Sequence, residues 1–477
     1  MNTFNDFIPV LPEILVAIMV IVVMMADLFL SEKYKNIAYT LSQLTLVTLA
    51  VLGWLYFNRE NQYAFGSQFY IDNMTIVLKG FVYLATFFVF IYSRVYIEEH
   101  KIPKGEFYVL ALLSMLGAMV LISADSLITI YIGLELHSLP LYAMIAMRRK
   151  YYPGAEAAVK YFILGAVMSA FLLYGMSFIY GVTGHLDIES IAQYLSTPNE
   201  YRMVVLFAMI FFIVVSAFKL GAAPFHQWVP DVYVGSPNMT TAFLATVPKL
   251  AAYGMLVTLL TKALPAFSVQ WSEVLMVLAI ISIFIGNIVA LVQKNLKRMF
   301  AYSTVSHIGF IFLGLSMVDT LGYAAAMYYV VVYVVMSVGG FGIILLLSQN
   351  GKEVQNIDDL SGLNARNSWL AFMMLILMFS MAGVPPFAGF TSKLLVLNSL
   401  VQQGHYALTV YVLVMSVIGS FYYLRVIKVM YFDKGKDDDK KIVVHRDGMA
   451  AITVNCLLVL LFGVFPVYLT TVINIIY

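Results

Sequence analysis

The sequence predicts an all-α membrane protein of about fourteen transmembrane helices, with two inverted five-helix repeats that each contain a broken helix. Three observations predict this class. Of 477 residues, 62% are hydrophobic and 11% charged, and the mean hydropathy is +0.88, which excludes a water-soluble domain. Apolar runs of about 20 residues, the length that crosses a bilayer, recur along the whole chain. Two of these runs are interrupted by matching Gly/Pro segments.

In order, the runs fall at 9–30, 37–57, 72–93, 105–123, 125–147, 156–181, 203–223, 238–262, 272–293, 298–317, 320–348, 367–400 with a break, 407–430 and 449–475. The first residues include Asp6 and Glu13 and no basic cluster, so the first run reads as a retained span and not as a cleaved signal peptide. The expected organisation is three N-terminal helices (1–100), a first five-helix unit (101–263), a second (264–432), and a polar loop with a last helix (433–477). Of the 28 Lys and Arg, twenty lie in the loops that follow odd-numbered spans. Only Arg59, Arg202 and Lys262 lie in the alternate loops. Basic residues stay on the cytoplasmic side, so both termini and His185–Arg202 are expected outside, and Asp433–Asp447 inside.

The seventh run breaks at Gly221-Ala-Ala-Pro224-Phe225-His226 and the twelfth at Gly383-Val-Pro-Pro386-Phe387. The two Pro-Phe pairs are 162 residues apart, about five spans at the usual length. An odd number of spans makes the units insert with opposite topology, the pattern of inverted-repeat transporters whose sites lie at the midplane. Proline also removes a backbone donor and frees a carbonyl one turn earlier. Such groups are tolerated at membrane depth only where protein or water covers them.

Charges inside the runs carry the functional expectation. Lys79, Lys160, Lys219, Lys249, Lys393 and Glu135 all sit in apolar stretches, where a charge costs about 2.5–3.5 kcal/mol and normally has a task. A lysine withdrawn from water is destabilised enough to exchange its proton near neutral pH. A carboxylate at about 6 Å and an effective dielectric of 20 would return about 2.8 kcal/mol, so a Glu135–Lys219 pair can switch. When the two are close the lysine keeps its proton; when they part, Lys219 passes it to Lys249. His307, in Ser303-Thr-Val-Ser-His307, is either a relay between Lys249 and Lys393 or a hydrogen-bonded structural residue. His226 is a proton donor or a helix-capping residue. Lys160, four residues after Glu156, forms an entrance pair or stabilises its helix. His137 is expected to be structural, and Lys79 and Asp27 to snorkel.

Several functions are excluded. The single cysteine, Cys456, cannot form a disulfide within the chain or hold an iron–sulfur cluster. There is no P-loop, no dinucleotide-binding glycine motif and no HExxH, and the seven histidines show no haem or metal spacing. No metal or cofactor is expected in this chain. A net charge of +2 does not suggest nucleic acid.

Four segments then resemble a known family. They are Gly133-Leu-Glu135-Leu-His-Ser-Leu-Pro-Leu-Tyr, Ala217-Phe-Lys219-Leu-Gly-Ala-Ala-Pro-Phe-His226-Gln-Trp-Val-Pro-Asp231, Val247-Pro-Lys249-Leu-Ala-Ala-Tyr and Gly383-Val-Pro-Pro-Phe-Ala-Gly-Phe-Thr-Ser-Lys393. The likeness is to the subunit N family of proton-pumping NADH:quinone oxidoreductase, respiratory complex I, and it runs over nearly the whole chain. It implies an antiporter-like subunit of the bacterial inner membrane with no redox centre of its own. Flavin and iron–sulfur clusters would lie in partner subunits, and further antiporter-like subunits would lie beside it. It also implies that Glu135, Lys219, Lys249 and Lys393 form the proton path. One departure is Val234-Gly-Ser-Pro237-Asn-Met-Thr, where the family usually reads Glu-Gly-Ala-Pro-Thr-Pro; a carboxylate is missing, so proton uptake there is expected to be arranged differently. The alternatives are a subunit of a cation/proton antiporter or membrane-bound hydrogenase complex, and a non-conducting structural spacer.

Overall fold

The computed structural model describes residues 7–30, 36–57, 60–148, 151–197, 200–349, 351–435 and 441–476. Asp6 and several orientation-setting residues (Lys33, Lys35, Arg59, Arg149, Lys150, Lys436 and Lys440) lie outside them.

Helices α1 (Leu11–Phe29) and α2 (Asn36–Tyr56) lead into an antiparallel hairpin, β1 (Gln62–Ala64) and β2 (Phe69–Ile71). Then come α3 (Asn73–Glu99), α4 (Lys104–Ile122), α5 (Leu127–Ile145), α6 (Tyr152–Thr183), a short α7 (Ile188–Leu195) and α8 (Arg202–Leu220). The middle of the chain forms α9 (Trp228–Gly235), α10 (Asn238–Leu244) and α11 (Val247–Val257), which runs on as a π-helical turn over Thr258–Ala263. Next are α12 (Ser268–Leu291), α13 (Leu296–Ser316), α14 (Thr320–Leu347) and the single turn α15 (Leu363–Arg366). The last part holds α16 (Ser368–Ala382), α17 (Ala388–Gln402), α18 (Tyr406–Tyr431), α19 (Arg446–Val464) and α20 (Val467–Asn474).

Thirteen helical segments among the described residues are long and apolar enough to cross a bilayer. The remaining expected span is split into α16 and α17, each of 15 residues. At 1.5 Å per residue each half is about 22 Å long, short of the roughly 30 Å hydrocarbon core. The last expected run divides at Pro466, where α19 stops and α20 begins.

Burial sorts the helices. The most apolar windows of α14 and of the segment 238–263 are entirely buried, whereas only 28% of those of α1 and α2 is buried. Lipid is as apolar as leucine, so membrane helices associate through close packing. Gly117 lets α4 approach the α5 backbone at His137, and Gly286 does the same between α12 and Ser306 of α13; a Cβ at either position would overlap that backbone.

Both broken helices end the same way. α8 stops at Gly221 (φ +88°) and α16 at Gly383 (φ +87°), the left-handed conformation that glycine adopts at helix ends. The following Ala223–Pro224 and Pro385–Pro386 bonds are cis. Serine hydroxyls take backbone donors that the breaks release. Ala223 N–H donates to Ser282 Oγ at 2.9 Å, and Gly389 N–H to Ser380 Oγ at 3.1 Å.

One intramembrane lysine departs from expectation. Lys79 does not snorkel: it is buried, with Nζ 2.6 Å from Glu13 Oε1 and 4.8 Å from the centroid of the Phe69 ring. The start of α1 and the hairpin close over α3 and leave it no route to water. Lys160, by contrast, is exposed on the outside of α6.

Candidate functional site

The last carbonyls of any α-helix lack intrahelical partners, and the two breaks place such carbonyls at membrane depth. At the first break, Lys249 is fully buried (0% exposed). Its Nζ donates to the carbonyl oxygen of Lys219 at 3.1 Å, near the end of α8. It also lies 5.0 Å from the centroid of the Trp228 ring, while the Trp228 indole N–H donates to the Phe218 carbonyl at 2.9 Å. The local cause is Pro248, which starts α11 and sets Lys249 in its first turn, facing the end of α8.

The Lys219 side chain points to α5, where Nζ donates to Ser138 Oγ at 2.8 Å. Glu135, one turn earlier on α5 and half-buried, accepts a hydrogen bond from Ser169 Oγ of α6. The expected close pair is therefore open in this structure. A different serine holds each partner: Ser169 binds Glu135 and Ser138 binds Lys219.

At the second break, Lys393 folds back from α17. Its Nζ donates to the Ala382 carbonyl and to Ser416 Oγ of α18, both at 2.9 Å. The Phe310 ring centroid lies 5.5 Å away.

Between the breaks the connection is aromatic. His307 Nδ1 lies 2.8 Å from the Tyr329 hydroxyl, and Nε2 lies 3.0 Å from that of Tyr423. Tyr423 also bonds Ser303 Oγ. The Tyr333 hydroxyl donates to Thr304 Oγ1 at 2.9 Å and lies 3.4 Å from the Ala245 carbonyl, where α10 ends. Ser303, Thr304, Tyr333 and Ser337 line a small void beside this group. Hydroxyls both donate and accept, so the stretch from Ala245 to Tyr423 offers exchangeable groups. His307 hydrogen-bonds to neither lysine; tyrosine hydroxyls occupy both its nitrogens. The sequence did not single out Tyr329, Tyr333 or Tyr423, because nothing in their spacing separates them from the other tyrosines among 32.

The remaining candidates sit at the edges. The His226 ring packs edge-on to Tyr302 (centroids 6.0 Å apart), and its carbonyl accepts the Val229 N–H at the start of α9. Lys160 pairs with Glu156 at 2.9 Å and with Asp231 at 3.1 Å, and Asp231 also binds Arg298 at 2.8 Å, which joins α6, α9 and α13 at the surface. His137 Nδ1 bonds the Ser114 carbonyl at 2.8 Å and ties α5 to α4.

Sequence reasoning missed one charged centre. Lys297, assigned above to a cytoplasmic loop, is 2% exposed, and its Nζ donates to the Ser236 carbonyl at 2.9 Å. Nearby, Glu353 accepts from the Tyr96 hydroxyl at 2.6 Å and meets Arg148 at 2.5 Å. Burial opposes ionisation of Glu353, but Tyr96, Lys297 and Arg148 together outweigh it and hold its carboxyl below the usual carboxylate range. No local pattern announces this centre, since Glu353 is 205 residues from Arg148 and 257 from Tyr96. Among the described residues no cluster of His, Cys, Asp or Glu could hold a metal ion.

Residues 124–419 match the family model described as NADH:quinone oxidoreductase/Mrp antiporter, TM. A protein of Coxiella burnetii named NADH-quinone oxidoreductase subunit N is 46% identical over 469 residues, which cover 97% of each chain. A chain in the structure of respiratory complex I from Thermus thermophilus superposes with a TM-score of 0.82 at 29% identity, covering 96% of this chain and 98% of that one. A chain of the membrane-bound sulfane sulfur reductase, an archaeal respiratory membrane complex, gives 0.86 at 24% identity over 97% and 96%, a likeness of fold.

Proposed function

We propose a residue-level proton path for this chain, which belongs to the family of NADH-quinone oxidoreductase subunit N. In this reading it is an antiporter-like membrane subunit of respiratory complex I. It translocates protons while quinone is reduced elsewhere in the complex, beside further antiporter-like subunits. The flavin and iron–sulfur clusters lie in partner subunits, and this chain contributes no redox centre.

The observation that carries the path is the setting of Lys249: a fully buried cation held by a peptide carbonyl and an indole face, with no carboxylate in contact among the described residues. A fixed structural cation at such depth is normally neutralised by a counter-charge. Lys249 is instead anchored on the backbone of Lys219, so movement at the end of α8 displaces both lysines together. Glu135 leaves Ser169 and draws Lys219 from Ser138; when it withdraws, Lys219 releases its proton toward Lys249. The proton continues past Tyr333, Thr304, His307 and Tyr423 to Lys393. His226 and Lys160 stand on the uptake side. The two breaks belong to inverted units over 101–263 and 264–432, with both chain termini outside. Labelling of single cysteines placed at positions 8 and 476, in a Cys456→Ser background, would reverse that orientation if the reagent reached them only from the cytoplasm.

The test of the path is Lys249→Arg. It keeps the charge but titrates only above about 12, so the relay would be held protonated. Proton uptake and quinone reduction are measured together in vesicles at matched complex content. Impaired pumping is expected; normal pumping would replace the relay by a fixed electrostatic role.

A further inference from the structure

The Glu353 centre lies outside this path, yet it joins the helices that carry two of its members. The segment after α14 is bound to the start of α13 by its backbone. Leu296 N–H donates to the Gln355 carbonyl at 2.7 Å, and Ile357 N–H to the Lys294 carbonyl at 3.0 Å. From that fixed base the Glu353 side chain reaches Arg148, three residues past the end of α5, and Tyr96 near the end of α3. α5 carries Glu135 and α13 carries His307. Lys297, in the first turn of α13, is a buried cation that has Glu353 as its nearby carboxylate and Ser236 as its hydrogen-bond acceptor. Ser236 immediately follows α9.

We propose that Glu353 is a positioning residue, a fixed negative charge that clamps the end of the Glu135 helix to the start of the His307 helix. This deepens the proton path above and rests on it. Because the clamp is ionic on the α5 side and hydrogen-bonded backbone on the α13 side, a shift of α5 when Glu135 changes partner moves α13 with it.

The experiment is a double-mutant cycle in the whole complex in vesicles, comparing Glu353→Gln, Arg148→Gln and the double variant at matched complex content. The readout is protons taken up per electron passed to quinone, which a purely stabilising ion pair leaves unchanged in complexes that have assembled. Each single variant should lower that ratio, and the double variant should lower it no further, since both remove one interaction. An unchanged ratio in Glu353→Gln, or losses that add in the double variant, would overturn the clamp. If Glu353→Gln does not assemble, Glu353→Asp keeps the charge on a shorter arm. Its ratio should then be partly reduced, and a full ratio overturns the proposal. Lys249→Arg in the same assay separates the two ideas: defective there with a normal Glu353→Gln sinks the clamp alone.

Discussion

The two breaks share a backbone and differ in how the cation arrives. Each has a left-handed glycine, a proline and a serine that takes a released N–H. At the first, Lys249 comes from a neighbouring helix and is fully buried, and the broken helix carries a second lysine of its own. At the second, Lys393 comes from the helix that resumes after the break, is half-buried, and is alone. On the proposed path, proton transfer from Lys219 to an unprotonated Lys249 is gated by moving one helix end against another. In the second, break and cation move as one body, which suits a terminal station more than a switch.

The largest effect that would break this comparison is at Glu135. Glu135→Gln should reduce pumping coupled to quinone reduction more than it reduces assembly, because Glu135 is the carboxylate proposed to move against a break lysine, whereas Lys393 is held by a carbonyl and a serine. A well-assembled Glu135→Gln complex with full pumping would remove the distinction.

A smaller effect should separate the serines. Ser138→Ala deprives Lys219 of its one side-chain acceptor among the described residues, and a hydrogen bond to a charged group is worth about 1.5–3 kcal/mol. Ser416→Ala leaves Lys393 its Ala382 carbonyl, so the loss should be less. Pumping rate against pH, compared for the two variants, checks this; equal displacements of the profile would mean that the two lysines are held alike.

The smallest effect lies between α4 and α5, outside the spans. Burial pushes the Asp125 carboxyl up to about 6, partly offset by Lys262. Its folded value is above the ordinary one, so the folded state binds more protons, and stability should fall as pH rises through that window and level off above it. Thermal unfolding of detergent-solubilised complex between pH 5 and 7 should show this slope for the native chain and a flatter one for Asp125→Asn.

Local chemistry was legible in the sequence. Hydropathy marked the spans because a bilayer core admits few other structures. Gly221-Ala-Ala-Pro224 and Gly383-Val-Pro-Pro386 marked the breaks because glycine and proline act on their own residues and the next turn. Lysine depth was legible for Lys219, Lys249 and Lys393, since each lies within an apolar run of span length beside a glycine or proline. The choice of partners was not. Lys79 meets Glu13 across 66 residues, and Lys219 meets Ser138 across 81 in place of Glu135. Lys297 is buried although it opens a helix next to a polar loop.

What the sequence alone determined is therefore where the membrane lies, where its helices break and which charges must be accounted for. Only the tertiary structure decided which charge faces which. Burial and breakage follow from a residue's nearest neighbours along the chain. Neutralisation of a buried charge follows from whatever the packing brings within about 3–4 Å, and that distance is set by helices far apart in sequence.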